Sequence, residues 1–379
     1  MNEKYPLPEG WKWVKLGEVC EKFMSGGTPD TGNSAYWDGN IPWITGADIT
    51  NLWVSGGRKY ITCEGLNDSA TQLVKKNTVL IVTRTGVGKI GIAANDLCFS
   101  QDITGVVCGP NLLPEFLARF LLFQEDSLKK SQRGATIKGL TRDDTESLKI
   151  PIAPLPEQNR IIAKARELLQ EAERARSACE KQLEAAKALP SVYLREVFES
   201  EDAKRWERKR LGEVCNIYQS QTITSEEIQT AGPYKVFGAN GVIGYYDKYN
   251  HEDSEVLVTC RGATCGTINL SESKSWITGN AMVVHPKTNA LDEMFLYWAL
   301  KNSNFSDTIS GAAQPQITRA SLSPLEISIP SLSIQHRIAT ELKEKMTEAE
   351  KLRTSIETQL ETVGVLPQVI LRKAFRGEL

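Results

Sequence analysis

The chain has 379 residues, enough for two or three domains, and its 41% hydrophobic and 24% charged residues are the balance of an ordinary folded protein. A formal net charge of −2, from 45 Lys+Arg against 47 Asp+Glu, excludes a protein that coats nucleic acid through bulk positive charge, although a local basic face is still allowed. No apolar run reaches the roughly 18 residues of a membrane-spanning helix, and MNEKYPLPEGWKW has neither the apolar core nor the small-residue site of a secretory leader, so the expected location is the cytoplasm.

In chain order, Leu16-Gly-Glu-Val-Cys20 comes first, followed by a stretch over 28–58 rich in Gly, Asn, Asp, Trp and Pro. VLIVTRTG (79–86) reads as a strand running into a glycine turn, and DITGVVCG (102–109) as another strand. LPEFLARFLLFQ (113–124) has the spacing of an amphipathic helix, and LKIPIAPLP is a strand stopped by proline. The same series then returns: LGEVC at 211–215, EVLVTCRG (255–262), NAMVVHP (280–286), LDEMFLYWALKN (291–302) and LEISIPSLS.

The return is a domain duplication. Residues 134–198 align with 311–375 at a constant offset of 177: Thr141-Arg142 on Thr318-Arg319, Gln158 on Gln335, Leu189-Pro190 on Leu366-Pro367, Phe198 on Phe375. The LGEVC segments stand 195 apart, so the first copy holds about 18 surplus residues, expected near 28–58. The predicted class is α+β (mixed).

A long helix closes each half. Ile161, Ala165, Leu168, Ala172, Ala175, Cys179, Gln182, Ala186 and Leu189 alternate in steps of four and three, as do Ile338, Leu342, Lys345, Ala349, Leu352, Ile356, Gln359, Val363 and Leu366. That period is a coiled-coil seam. Two such helices flanking a globular domain are expected to pair antiparallel, with Gln182 opposite Lys345, giving two similar globular domains separated by a two-helix coiled coil with pseudo-twofold symmetry. The boundaries read as 1–153, 154–200, 201–330 and 331–379.

The sequence resembles the specificity subunit of type I restriction-modification systems over nearly its whole length. The resemblance rests on W-x-x-x-x-LGEV opening each half, on IPWIT (41–45), and on IAPLPEQNRIIAKARELLQEAE and IPSLSIQHRIATELKEKMTEAE after the globular parts. It rests also on LPSVYLREVF and LPQVILRKAFRGEL closing the halves; the second copy departs at Ser333-Ile334, where the first has Pro156-Glu157. It implies two target-recognition domains, each reading half of a split double-stranded DNA target. The helices would be the spacer and the dock for two methyltransferase subunits, through which restriction subunits join. It further implies that the chain catalyses nothing, and that AdoMet, ATP and magnesium belong to the partners. From Ile161 to Leu189 is about 42 Å at ~1.5 Å per residue, roughly one turn of duplex.

Candidate DNA contacts follow from residue chemistry. Arg84, Thr85 and Lys89 stand on a glycine turn whose counterpart carries Arg261, and both suit phosphate or guanine. Arg133, Thr136 and Lys138 occupy the place that Gln314 and Gln316 take in the second half, and arginine suits guanine as glutamine suits adenine. Thr28, Asn33 and Thr45 in the surplus segment, Gln101, and Lys235, Asn240 and Tyr245 in PYKVFGANGVIGYY complete the set. The bland alternative is surface arginines on tight turns and loops that only pack. Trp37 and Trp43 read as packing residues, and Thr141 and Thr318 as helix caps.

Other chemistries find little support. Gly86-Val-Gly-Lys-Ile-Gly91 matches a dinucleotide fingerprint, but IGIAAN reads as a strand where that fingerprint needs a helix. The eight cysteines include no C-x-x-C pair and the three histidines are scattered, so the thiols read as small buried hydrophobes rather than zinc ligands. No methyltransferase N-P-P-Y loop, H-E-x-x-H or G-x-S-x-G occurs. The competing readings are a specificity subunit of an orphan or single-effector methylation system, a protein-interaction scaffold, and an enzyme of its own.

Overall fold

The computed structural model of the chain describes residues 5–130, 139–311 and 314–379. Two compact units divide it: Met1–Ala178 together with Leu360–Leu379, and Cys179–Gln359.

The first unit is organised by the strand Val79–Val82, fully buried along its length. Val79 and Ile81 pack into one apolar cluster with Phe116, Leu117, Phe120 and Leu121 of the helix Pro114–Phe123, while Leu80 and Val82 enter another with Ile44, Val74 and Phe99. A strand covered on both faces must be apolar without alternation, hence the unbroken VLIV run. Around it the sheet order is Cys20–Ser25, Ile103–Cys108, Val79–Val82, Ile90–Ala93, Trp53–Val54, antiparallel except for the last, which joins in parallel. A second sheet places Trp37–Ile44 between Lys59–Ile61 and Cys98–Phe99.

The second unit repeats the plan. Cys215–Gln219, Ala281–Pro286, Val256–Thr259 and Ile268–Leu270 form an antiparallel sheet under the helix Glu293–Asn302. Its second sheet places Tyr234–Gly238 between Gly241–Tyr246 and Trp276–Ile277. The surplus of the first copy is now localised. Residues 45–58 join two strands of the small sheet and lend Trp53–Val54 to the large one, whereas the second unit makes the same connection with Ala239-Asn240 alone.

The duplicated segments have one structural role each. LGEV forms a single helical turn whose buried leucine donates its backbone N–H to a carbonyl of the closing segment: Leu16 to Leu148 at 2.8 Å, Leu211 to Leu325 at 2.8 Å. Thr141 and Thr318 cap one-turn helices, accepting from the N–H of Asp144 and Ser321 at 3.1 Å each, as expected. The strands of 149–152 and 326–329 pair antiparallel with Lys12–Lys15 and Glu207–Arg210.

The long helices are Leu155–Phe198 and Leu332–Phe375. In the first unit Ile161 and Ile162 share a cluster with Leu371, Ala374 and Phe375; in the second, Leu194 shares one with Ile338 and Leu342. Within each unit the start of one helix therefore meets the end of the other, as antiparallel pairing requires. The buried positions repeat every seven residues: Ala165, Ala172, Cys179, Ala186, and likewise Leu342, Ala349, Ile356. The expected Gln182–Lys345 meeting does not occur. Gln182 is exposed, and Lys345 instead lies 3.6 Å from Glu196 and over the ring of Tyr193. Along the middle of each helix, over 166–186 and 343–356, only one position per heptad is buried, so Gln182, Lys345, Ala175 and Leu352 all face outward, and Leu183 and Met346 are half-buried in their place. Of the thiols, Cys98, Cys179, Cys215 and Cys260 are buried as expected, but Cys63 is exposed. No helix among the described residues is long and apolar enough to cross a membrane.

Candidate nucleic-acid interface

The G-x-G-x-x-G segment is a hairpin turn. Gly86 and Gly88 sit at φ +102° and +101°, conformations that side chains strain to adopt, and Ile90–Ala93 returns as a strand antiparallel to Val79–Val82. The helix N-terminus that a phosphate cradle needs is not formed there. Instead, the turn lifts Arg84, Thr85 and Lys89 into solvent.

Other loops of the first unit converge on this turn. Gly27 donates its N–H to Phe99 O and Ser100 to Ile44 O, both at 2.9 Å, while Thr83 donates to Asp102 O at 2.8 Å. Side chains add to the weave: Lys89 Nζ reaches Gly46 O at 3.2 Å, and the Thr28 hydroxyl donates to Gln101 Oε1 at 2.5 Å. The structure thus brings together Thr28, Thr45, Arg84, Thr85, Lys89 and Gln101, drawn from four separate stretches of sequence. Thr45 is held by Asp48, which accepts from both its N–H and its hydroxyl at 2.8 Å and takes Arg58 Nε at 2.9 Å. Burial alone would raise the Asp48 carboxyl, but these hydrogen bonds and the guanidinium prevail and hold it below its ordinary value. Arg84 is exposed, and its side chain forms no hydrogen bond or ion pair with any described residue. Asn33 stands apart, its carbonyl spent on capping Ser34–Tyr36. Trp43 is buried and donates to Gly27 O at 3.0 Å with Trp37 edge-on against it, so both indoles pack, as expected. Arg133, Thr136 and Lys138 lie outside the described residues.

In the second unit the equivalent turn presents Arg261, and a backbone bridge joins it to Gln316. Ile317 donates to Cys260 O at 3.0 Å, just as Leu140 donates to Thr83 O at 2.8 Å, at the same offset of 177. Arg261 and Gln316 line one cleft with Ile217, Tyr218, Gln219, Met282 and Arg319. Tyr218, Gln219 and Arg319 are not among the residues that the sequence points to; the one available signal is an aromatic alcohol followed by an amide, beginning three residues past LGEVC. Gln314 is exposed nearby, and Asn240 is exposed in the two-residue turn. Lys235 is not an open cation: its ammonium is paired with Glu272 at 2.5 Å, a hydrogen bond that raises its pKa. Tyr245 faces Lys235 across the hairpin, half-buried, with its backbone paired to Gln229. No three histidine, cysteine, aspartate or glutamate side chains among the described residues converge as metal ligands.

The fold is a duplicated mixed α/β scaffold with a different set of polar side chains on the equivalent turn of each copy. The chain belongs to the family of the type I restriction modification DNA specificity domain, which matches it twice, over residues 8–178 and 203–362. It is 27% identical over 244 residues to the type I restriction enzyme MjaIX specificity subunit of Methanocaldococcus jannaschii, covering 59% of this chain and 55% of the relative. With the EcoR124I/EcoR124II specificity subunit of Escherichia coli the identity is 28%, over 40% of this chain and 39% of the relative. These two matches thus span about half, or less, of the relatives' length. The EcoDI specificity subunit of Escherichia coli aligns over 98% of this chain and 89% of its own length at 23% identity. Among solved structures, a chain from work on assembly and conformational transition of the type I R-M system superposes with a TM-score of 0.78 at 24% identity, covering 99% of this chain and 100% of that one. The HsdS subunit of Thermoanaerobacter tengcongensis gives 0.67 at 24% identity over 99% of both. These likenesses establish the fold.

Proposed function

We propose that this chain is the DNA sequence-specificity subunit of a type I restriction-modification complex, each unit reading one half of a split target. The observation that carries the reading is the double family match, one on each unit, combined with equivalent turns that carry different exposed polar groups. Arg84 and Arg261 supply forked donors for phosphate or for guanine O6 and N7, and Gln314 and Gln316 supply the amide that pairs with adenine. Thr28, Thr45, Thr85, Lys89 and Gln101 border the first surface, and Asn240 lies at the edge of the second unit's small sheet. Asn33, Lys235 and Tyr245 are weaker candidates, since a cap, an ion pair and partial burial already engage them.

The long helices serve as spacer and as dock for two methyltransferase subunits, through which restriction subunits join. The chain is a non-catalytic member of that assembly, working in the cytoplasm, with AdoMet, ATP and magnesium held by its partners. The sequence supports this, lacking an N-P-P-Y methyltransferase loop.

The test is sequencing of methylated bases in cells with and without this gene, which yields both half-sites and their gap at once. A gel shift with the methyltransferase partner across a salt series accompanies it, because phosphate contacts weaken steeply with salt. Methylation by the isolated chain, or binding indifferent to salt, would overturn the reading.

A further inference from the structure

The cleft of the second unit contains a polar side chain whose hydrogen-bonding sense is dictated by groups beneath it. Asn250 Oδ1 accepts the backbone N–H of Ile277 at 2.8 Å, and Asn250 Nδ2 donates to Ile277 O at 3.0 Å and Ser220 Oγ at 2.8 Å. A backbone N–H can only donate and a carbonyl can only accept, so the amide has one possible orientation. Asn250 Oδ1 also lies 2.7 Å from His251 Nδ1, which must therefore carry the hydrogen. A neutral imidazole protonated at Nδ1 has a bare Nε2. Tyr218 Oη is 3.1 Å from that Nε2 and so donates its only hydrogen inward.

We infer that Tyr218 is a specificity-determining residue whose phenol oxygen, with its hydrogen committed to His251, offers the cleft an acceptor only and selects a base edge bearing an amino group. Adenine N6 and cytosine N4 are the amino groups of the major groove. Tyr218 is well placed for such a contact, being 38% exposed and lining the cleft with Arg261 and Gln316, whereas His251 is 9% exposed and out of reach of a ligand. Burial, with His285 nearby, keeps the imidazole below its ordinary pKa and hence neutral. Burial, with Glu255, likewise keeps the phenol protonated. Arg261 in the same cleft has donors only, so the pair presents a donor and an acceptor of fixed sense. His251 and Asn250 are positioning residues that set this polarity. In the first copy a bulge between Cys20 and Lys22 shifts the strand by one residue, and the place of Tyr218 in the sheet is taken by Met24, buried and without a hydroxyl, so the device belongs to the second head.

This inference rests on the second unit being a DNA reader, and the experiment separates the two. The full chain, assembled with its methyltransferase subunits, methylates a library randomised across both half-sites, as wild type, Tyr218→Phe and His251→Phe. Expected is a loss of about tenfold in discrimination at one position of one half-site in Tyr218→Phe, the scale of one good polar base contact, with the other half-site unchanged. His251→Phe, which frees the phenol hydrogen, should relax the same position. DNA carrying an analogue without the amino group there should cost wild type about tenfold and Tyr218→Phe nothing, a readout that a merely structural role would not produce. Preferences unchanged at every position in Tyr218→Phe, or weakened equally in both half-sites, would overturn the inference and leave the proposed function standing. No sequence preference in the wild-type complex would overturn both.

Discussion

In the first unit the surface around Arg84 is built from four converging loops, with Thr45 and Asp48 in a fourteen-residue connection over 45–58. In the second, the same connection is Ala239-Asn240, and the ground near Arg261 is an open cleft floored by Tyr218 and Met282. Beneath these surfaces the two units agree closely. Gln158, fully buried, donates to Asn111 O at 2.9 Å and Ala153 O at 2.8 Å and accepts from Leu113 N–H at 2.9 Å. Gln335, also fully buried, donates to Ala290 O at 3.0 Å and Pro330 O at 2.9 Å and accepts from Asp292 N–H at 2.8 Å. Each glutamine ties the start of a long helix to the segment that leads into the helix over the sheet. What stays the same is whatever closes the backbone; what differs is reachable from solvent.

The largest effect expected is at these glutamines. Gln158→Leu and Gln335→Leu each take the side-chain partner from three backbone groups that are at least partly shielded from water, which should cost roughly 3–6 kcal/mol. Hydrogen exchange resolved by unit should show each loss confined to its own unit and similar in size; unequal losses would break the equivalence of the scaffolds. Next come the aromatic plugs. Phe375 is fully buried against Phe116 and Phe120 at centroid distances of 5.1 and 5.2 Å. Its counterpart Phe198 is half-buried at 5.6 Å from Phe295. Phe375→Ala should therefore cost about 3–5 kcal/mol and Phe198→Ala clearly less, read by the same measurement.

At the surface, Arg84→Ala and Arg261→Ala should each weaken recognition by about 1–3 kcal/mol at one half-site only. Half-site-resolved methylation would check this, and an identical effect of both changes on one half-site would contradict the assignment of one head to each. Thr141→Ala and Thr318→Ala should cost about 1 kcal/mol apiece as lost caps, with sequence preference untouched.

The smallest contrast is in pH response. Glu255 and Glu293 are held above the ordinary glutamate value, chiefly by burial. They favour the fold while protonated, so the second unit should lose stability as pH rises from the ordinary range through their raised values. Asp48 is held below its ordinary value and favours the fold while ionised, so its contribution to the first unit is lost as pH falls. Denaturation of Glu255→Gln against wild type across that range should show a flatter slope in the variant; an unchanged slope would remove Glu255 from the account.

Much of this was legible in the sequence. VLIV, DITGVVCG, LPEFLARFLLFQ and their repeats adopt the expected strands and helices because apolar period and turn residues are local properties, and the offset of 177 announced the duplication. The seven-residue repeat likewise declared the pairing of the long helices. Tertiary structure alone decided what meets what. Gln182 reads as a seam residue but faces water, because along the middle of the helix only one position per heptad is buried. Lys235 looks like a free cation until Glu272, 37 residues on, neutralises it. Tyr218, His251 and Ile277 carry no signal in the chain, and their shared hydrogen-bond sense exists only once three separate segments are in place. Periodicity records which face of an element is buried, whereas the partner of a side chain depends on segments tens of residues away, which no local pattern encodes.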